Sequence, residues 1–376
     1  MRAQQVLDPS VAYFDHATIG PSLRLALVAE YRARESQSMN LDQQARGADA
    51  ATAREACTRF ARFLGCDPEE LAFTHGAGEA LSIIASGLKL AAGDEVVTTT
   101  HEHPAGLNPW LAQAERRGVA IKQVALPAPL GGPEEYLGRI AGAVTDRTRV
   151  MAFCHVQHTD GALLPVADLC RFARQRNIVS VVDGAQALGM LDFDLRELEC
   201  DFYASNLHKW FGGTHGTGLL YGRRELLKEL APFEVRQPST PDAPAMQRFG
   251  TLLPYSWPAI RGSEAALDFH QSVGRDRLQG RVRELAIYAR LRLQQLADIE
   301  FLTPNRPGLW GGILTMRFAG KSAAALVGNL AAERIIARAV SWPSLEGDAL
   351  RISTHAANTH DEIERLFQAL KRYTRG

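Results

Sequence analysis

Lysine is scarce in this chain. Only six (Lys89, Lys122, Lys209, Lys228, Lys321 and Lys371) stand among 42 basic side chains, so a lysine placed for chemistry has few candidate positions. No charge of either sign is in excess, because 42 acidic groups balance the 42 basic ones. A generic nucleic-acid or acidic-membrane binder would need a basic surplus for counterion release, and that class is excluded. No apolar run approaches the roughly 18 residues that read as a membrane span, so no membrane-spanning helix is expected. The N-terminus, Met1-Arg2-Ala3-Gln4-Gln5-Val6-Leu7-Asp8, lacks the apolar core of a signal peptide, which favours the cytosol. Cysteine is sparse and odd in number: Cys57, Cys66, Cys154, Cys170 and Cys200, with no C-x-x-C pair. Neither a zinc knuckle nor a disulfide framework is indicated, and buried inert thiols are expected. No cysteine lies beyond Cys200.

What is present is ordinary globular material. The 376 residues are 46% hydrophobic and 22% charged, enough for a sizeable core. At about 150 residues per domain, the length suggests two or three folding units, or one large layered domain with an appendage. Short β-rich runs at 71–74, 95–99, 120–125, 149–154, 178–183, 202–205 and 217–221 alternate with segments of helical periodicity. In one of these, Val166, Leu169, Phe172 and Ala173 share a face. Such alternation indicates an α/β architecture with a largely parallel sheet covered on both faces. The stretch 237–258 holds five prolines and reads as an irregular crossing segment. A long amphipathic helix over 276–297 follows. The last seventy or so residues then read strand (311–318), helix (323–334), strand (335–340), strand (350–353) and helix (361–373), a compact α+β unit.

Four places could carry chemistry. Asp183 closes the apolar run 178–183, at the sheet's carboxyl edge where α/β proteins place ligands, and Gly184-Ala185 permit a sharp exit. A helix-capping role is the plainer reading of such an aspartate. Lys209 follows another strand, within Ser205-Asn206-Leu207-His208-Lys209-Trp210. A lysine in a partly apolar, cation-flanked site has a lowered pKa and can form a Schiff base, whereas a lysine chosen at random is a surface group. At Thr74-His75-Gly76-Ala77-Gly78-Glu79-Ala80 a strand passes through small residues into a helix whose free N–H groups could cradle a phosphate. It is not a dinucleotide fingerprint, since Leu81 stands where a third glycine is needed, and Gly213–Gly218 precedes a strand rather than a helix. Finally, His101 and His103 could be metal ligands with His155 and His158, or one imidazole could stack on a planar ring. Positions i and i+2 on an extended chain point to opposite faces, poor geometry for one ion, so no metal site is expected. Together a lysine, a strand-end aspartate, an anion-binding helix start and a stacking ring describe pyridoxal 5'-phosphate (PLP) chemistry.

These residues sit in motifs that resemble the class V aminotransferase family of fold-type-I PLP enzymes, which includes cysteine desulfurases and isopenicillin N epimerase-like proteins. The resemblance begins at Tyr13-Phe14-Asp15-His16-Ala17-Thr18-Ile19-Gly20-Pro21. It continues through Glu102-His103-Pro104-Ala105-Gly106 with Pro109-Trp110, Val182-Asp183-Gly184-Ala185-Gln186 and His208-Lys209-Trp210, and ends at Leu350-Arg351-Ile352-Ser353 with Asn358-Thr359. The spelling Asn206-Leu207-His208-Lys209-Trp210 is nearer the epimerase-like branch than the desulfurases. The resemblance implies a large PLP-binding α/β domain over 22–270 with a mainly parallel seven-stranded sheet, and a smaller α+β domain from 1–21 and 271–376.

It further implies that Lys209 forms the imine, Asp183 partners the ring nitrogen and His103 stacks on the ring, the three catalytic positions. Gln186 would bond the phenolic oxygen, near which His158 replaces a usual asparagine. Backbone at Ala77 and Gly78, with Asn206 and His208, would hold the phosphate. Thr251 would reach the phosphate of a partner subunit in a homodimer. Arg351 would clamp the substrate carboxylate, and His16 would stand beside the substrate. The implied activity is that of a PLP-dependent lyase (β-elimination, C–S cleavage) or epimerase acting at Cα or Cβ of a small-molecule amino-acid substrate, with transamination as an alternative. Ala339-Val340-Ser341-Trp342-Pro343-Ser344 carries no cysteine, so a persulfide-relay desulfurase is not expected. Two readings of other classes stay open: a metal-dependent hydrolase built on the four histidines, and a non-catalytic PLP-fold protein.

Overall fold

A computed structural model describes residues 1–42, 47–234, 239–253 and 256–374 of the chain. Seven strands form the larger sheet: β2 (Leu71–Thr74), β3 (Glu95–Thr99), β4 (Ala120–Val124), β5 (Thr148–Cys154), β6 (Val179–Asp183), β7 (Phe202–Asn206) and β8 (Gly218–Gly222). Their spatial order is β2-β8-β7-β6-β5-β3-β4. Only β8 runs against its neighbours, pairing antiparallel with both β2 and β7. The β-branched and apolar run Val179–Asp183 sits at the middle of this order, where helices cover both faces and alternation is unnecessary. Its partner β5 places Cys154 opposite Asp183, so both reach the same carboxyl edge.

A smaller antiparallel sheet has the order β12-β13-β10-β9, from Ile299–Phe301 (β9), Ile313–Phe318 (β10), Arg338–Val340 (β12) and Ala349–Ser353 (β13). The run 335–340, read as one strand, is two. Ile335–Ile336 (β11) pairs in parallel with Ala12–Tyr13 (β1), and after Ala337 the chain joins the other sheet as β12. β9 was absent from the sequence reading. The segment 237–258 is less irregular than its prolines suggest, since it contains a short helix, Ala245–Phe249; residues 235–238 and 254–255 lie outside the described residues. The expected long helix spans Arg275–Leu293.

The apolar core has two main bodies. One gathers side chains between Leu23 and Leu267 around the large sheet. The other joins Ala12 and Phe14 to side chains between Leu285 and Leu370. The β1–β11 pairing and an Asp15–Ser353 bridge tie the N-terminal segment into this second body and lay residues 13–18 beside Arg351.

Candidate active site

The carboxyl ends of β5, β6 and β7 and the start of the helix Ala77–Gly87 enclose a cavity. Ala77, Gly78, His103, His158, Asp183, Gln186, Asn206 and Lys209 all line it, joined by Cys154, Val156, Ala105 and Ala185. A larger groove lies between the helices Arg24–Met39 and Trp257–Val273. Four of its charged side chains, Arg59, Arg261, Glu264 and Asp268, are engaged in ion pairs with one another.

Local chain geometry explains why these side chains meet. The strand ending at Asp183 turns sharply at Gly184, where a Cβ would run into the Tyr203 ring. The Asp183 carboxylate accepts the Ala185 N–H at 2.9 Å, which fixes its orientation. On the Lys209 side, Gly20 passes so close that a Cβ there would overlap the Lys209 carbonyl, and the Gly20 N–H donates to the His208 carbonyl at 3.0 Å. His103 is the N-cap of the helix Pro104–Arg117: its Nδ1 accepts the Ala105 N–H at 3.1 Å, and Pro104 sits where a missing N–H costs nothing.

The electrostatics suit an amine poised to react. Burial pushes the Lys209 ammonium down to about 8, against the pull of Asp183. Asp183 is itself raised by burial, opposed by the Ala185 N–H, Lys209 and His103. Burial and Lys209 lower His103, and burial together with His103 drives His158 well below the usual imidazole range. The rings of His103 and His158 meet edge to face at 5.0 Å, both neutral.

Arg351 adjoins the cavity without lining it. It is 4% exposed, and its guanidinium donates to Asp15 Oδ1 at 3.0 Å, Thr18 Oγ1 at 2.7 Å and the His158 carbonyl at 2.8 Å. Asp15 and Thr18 escaped the sequence reading although both lie in the N-terminal motif. His16, expected beside the substrate, is fully buried away from the cavity lining. Its ring stacks on His355 at 4.4 Å and accepts no more than a Gln5 amide contact at 3.2 Å. The side chain of Gln186 is already engaged, donating to the Ala17 carbonyl at 2.7 Å and accepting from the Trp210 indole at 2.8 Å; its second amide hydrogen is left for a ligand.

At the helix start, the Ala77 N–H donates to Asn206 Oδ1 at 2.8 Å, so Asn206 holds the cradle rather than pointing freely at an anion. The Gly78 and Glu79 N–H groups, in the first turn, have no intrahelical acceptor. His208 donates through Nδ1 to the Thr217 carbonyl at 3.0 Å. Thr251 stands outside the cavity lining, bonded to Glu79 Oε2 at 2.5 Å and to His75 Nδ1 at 3.3 Å on the outer side of the same helix start. The four histidines weighed as a ligand set face separate partners: His101 meets Thr159 at 2.7 Å and His155 meets Tyr203 at 2.9 Å, while His103 and His158 line the cavity.

The class V aminotransferase profile matches residues 17–366. The chain belongs to that family. Isopenicillin N epimerases from Amycolatopsis lactamdurans (35% identical, 98% of this chain and 97% of the relative) and Streptomyces clavuligerus (33%, 99% and 97%) are similar to it over essentially their whole length. So is a cysteine desulfurase from Pectobacterium carotovorum (30%, 99% and 95%). Kinship therefore does not support the expectation that set desulfurase activity aside. Among solved structures, the cystine C–S lyase C-DES bound to its product cysteine persulfide superposes with a TM-score of 0.86 (25% identical, 96% of this chain and 98% of that one). A C-DES variant with glycine linked to its PLP gives 0.87 at 24% identity, covering 99% of each chain, which shows the shared fold. The architecture is thus fold type I, a large mainly parallel sheet with a smaller antiparallel unit.

PLP is the cofactor of this family, and the cavity fits it on its own chemistry. An amine able to go neutral, a buried carboxylate, a helix start with free N–H groups and a pair of neutral imidazoles converge there. The two glycines of the cradle leave room for close approach: a Cβ at Gly76 would lie 3.0 Å from Asn206 Oδ1, and one at Gly78 would lie 3.1 Å from the Ala105 Cβ.

Proposed function

We propose that this chain is a PLP-dependent enzyme acting at Cα or Cβ of an amino-acid substrate, as a lyase performing β-elimination with C–S cleavage or as an epimerase. The observation that carries the reading is the placement of Lys209 and Asp183 in one cavity, with Arg351 bound to the carbonyl of the cavity residue His158. When bound, the cofactor supplies an electron sink that stabilises negative charge at Cα of an attached amino acid. Asp183 holds a negative charge at the carboxyl edge, where a ring nitrogen that must stay protonated would meet it. Lys209 Nζ, with its lowered proton affinity, would take the Cα proton; in a lyase the freed electron pair would expel the β-sulfur substituent, and in an epimerase a proton donor on the face opposite Lys209 would reprotonate Cα. Arg351 pairs with the substrate carboxylate, for which Asp15 holds the guanidinium in place. His103 covers the ring face, and the His158 ring against it shapes the far wall.

Support for an activity at Cα or Cβ comes from relatives named as isopenicillin N epimerases, cysteine desulfurases and a cystine C–S lyase. Against persulfide relay, all five cysteines are buried, and burial pushes the Cys57 and Cys170 thiols up to about 12. An aminotransferase is the alternative outcome of the same proton abstraction. We further propose a cytosolic homodimer in which Thr251 approaches the partner's phosphate site. Holoenzyme supplied with cystine and with single-enantiomer amino acids separates the readings. Persulfide and pyruvate mark the lyase, loss of optical rotation marks the epimerase, and a persulfide found on the protein itself would count for a desulfurase.

A further inference from the structure

A second buried carboxyl lies behind Asp183, unused in the chemistry above. Glu102 follows β3 and is 9% exposed. Its Oε1 accepts the Thr99 hydroxyl at 2.7 Å, and Thr99 Oγ1 in turn accepts the His101 N–H at 3.2 Å. Gly106 leaves the gap across which the two carboxyls face each other: a Cβ there would lie 3.3 Å from Asp183 Oδ2 and 3.9 Å from Glu102 Oε2. The other titratable groups near Glu102 are Cys154 on β5 and Tyr136 on the helix Pro133–Ala143, both buried and both kept neutral by that burial. The Tyr136 hydroxyl has no hydrogen-bond partner among the described residues.

The two carboxyls therefore share a wall but not their company. Asp183 has the Ala185 N–H, Lys209 and His103 to favour its charge. Glu102 has the Thr99 hydroxyl and the Cys154 N–H and S–H, but no cation. Two close buried carboxyls cannot both ionise cheaply, so one proton belongs to the pair, and it goes where no cation waits.

We propose that Glu102 is a positioning residue: it holds that proton as a neutral carboxylic acid, so that Asp183 alone stays ionised and aimed at the cofactor's ring nitrogen. The proposal rests on the PLP reading for its purpose, but the location of the proton can be measured without cofactor. Burial, reinforced by the charge of Asp183, pushes Glu102 up to about 8. In agreement, Gly106 is the third residue of the helix Pro104–Arg117, and its lack of a side chain keeps the path between the carboxyls open.

The test is infrared difference spectroscopy of the cofactor-free protein at neutral pH, wild type minus Glu102→Gln. The expected result is the loss of one protonated-carboxyl C=O band; a difference confined to carboxylate bands would overturn the proposal. Should Glu102→Gln fail to fold, titration of the wild type alone serves: a protonated band must disappear with a midpoint near about 8, and its absence at neutral pH would be contrary. In holoenzyme, wild type and Glu102→Gln should show the same visible spectrum and cofactor affinity at neutral pH and diverge above about 8. Curves that already differ at neutral pH, or coincide throughout, would contradict it. If Asp183→Asn binds PLP unchanged while the band is present, the cofactor reading has failed and the proton assignment has not.

Discussion

Asp15→Asn is the perturbation whose cost the structure fixes best. Arg351 is 4% exposed and Asp15 is 6% exposed, so the pair has little solvent screening. The guanidinium has three acceptors, of which only Asp15 is charged; Thr18 Oγ1 and the His158 carbonyl are neutral. Removing one partner of a buried pair costs about 3–5 kcal/mol, because the other charge is left uncompensated. Asparagine keeps an oxygen facing the guanidinium, which places the cost at the lower end, about 3 kcal/mol. At roughly 2 °C per kcal/mol for a large domain, the cofactor-free melting temperature should fall by roughly 6 °C. A double-mutant cycle with Arg351→Ala, read by denaturant unfolding, isolates the pairwise part. Coupling of about 2 kcal/mol is expected for two residues in direct contact. Since an amino-acid carboxylate would supply the missing charge, saturating substrate should restore part of the loss in Asp15→Asn and none in Arg351→Ala. Single penalties that add to within about 0.5 kcal/mol would refute the argument, as would a variant melting like wild type.

Three further outcomes follow from the site. Burial disfavours the charged form of Lys209, so its amine becomes free as pH rises through about 8. Stopped-flow absorbance should show the cofactor-free protein combining with PLP at a rate that climbs up to that pH and then levels, rather than rising towards the ordinary lysine value of about 10.4. Gly106→Ala, in the first turn of its helix, should change the melting temperature little, since alanine is a better helix former than glycine. The new Cβ, 3.3 Å from Asp183 Oδ2, should nevertheless weaken cofactor binding in equilibrium titration. His16→Ala, within the stack on His355 and Trp210, should lower stability by roughly 2–4 kcal/mol in chemical unfolding while cofactor affinity is unchanged; the reverse pattern would return His16 to the substrate.

How much of this was legible in the residues differs from place to place. Strands 71–74 and 95–99 coincide with β2 and β3, because short apolar β-branched runs bounded by turns have few other readings. β9 is three residues, half-buried at its ends with Glu300 exposed between them, and carries no periodic signal, and the split of 335–340 depends on which sheet each half reaches, a long-range choice. Lys209 and Asp183 could be singled out because lysine is rare, Asp183 closes a strand and Lys209 follows one. Arg351 could not be told from the many other arginines except by its motif. For His16 the motif gives the residue's place on the chain but not the direction its ring takes, which the stack with His355, more than three hundred residues away, decides. Glu102 was quoted only as a letter beside His103, since a local string holds no record of burial.

The central claim is that Lys209 Nζ bonds to PLP. Borohydride reduction of the holoenzyme, followed by digestion and mass spectrometry, tests it at each of the six lysines at once. The account predicts a phosphopyridoxyl adduct on Lys209 alone, with the visible band abolished in Lys209→Ala. An adduct on another lysine, or a protein that takes up no PLP, would contradict it.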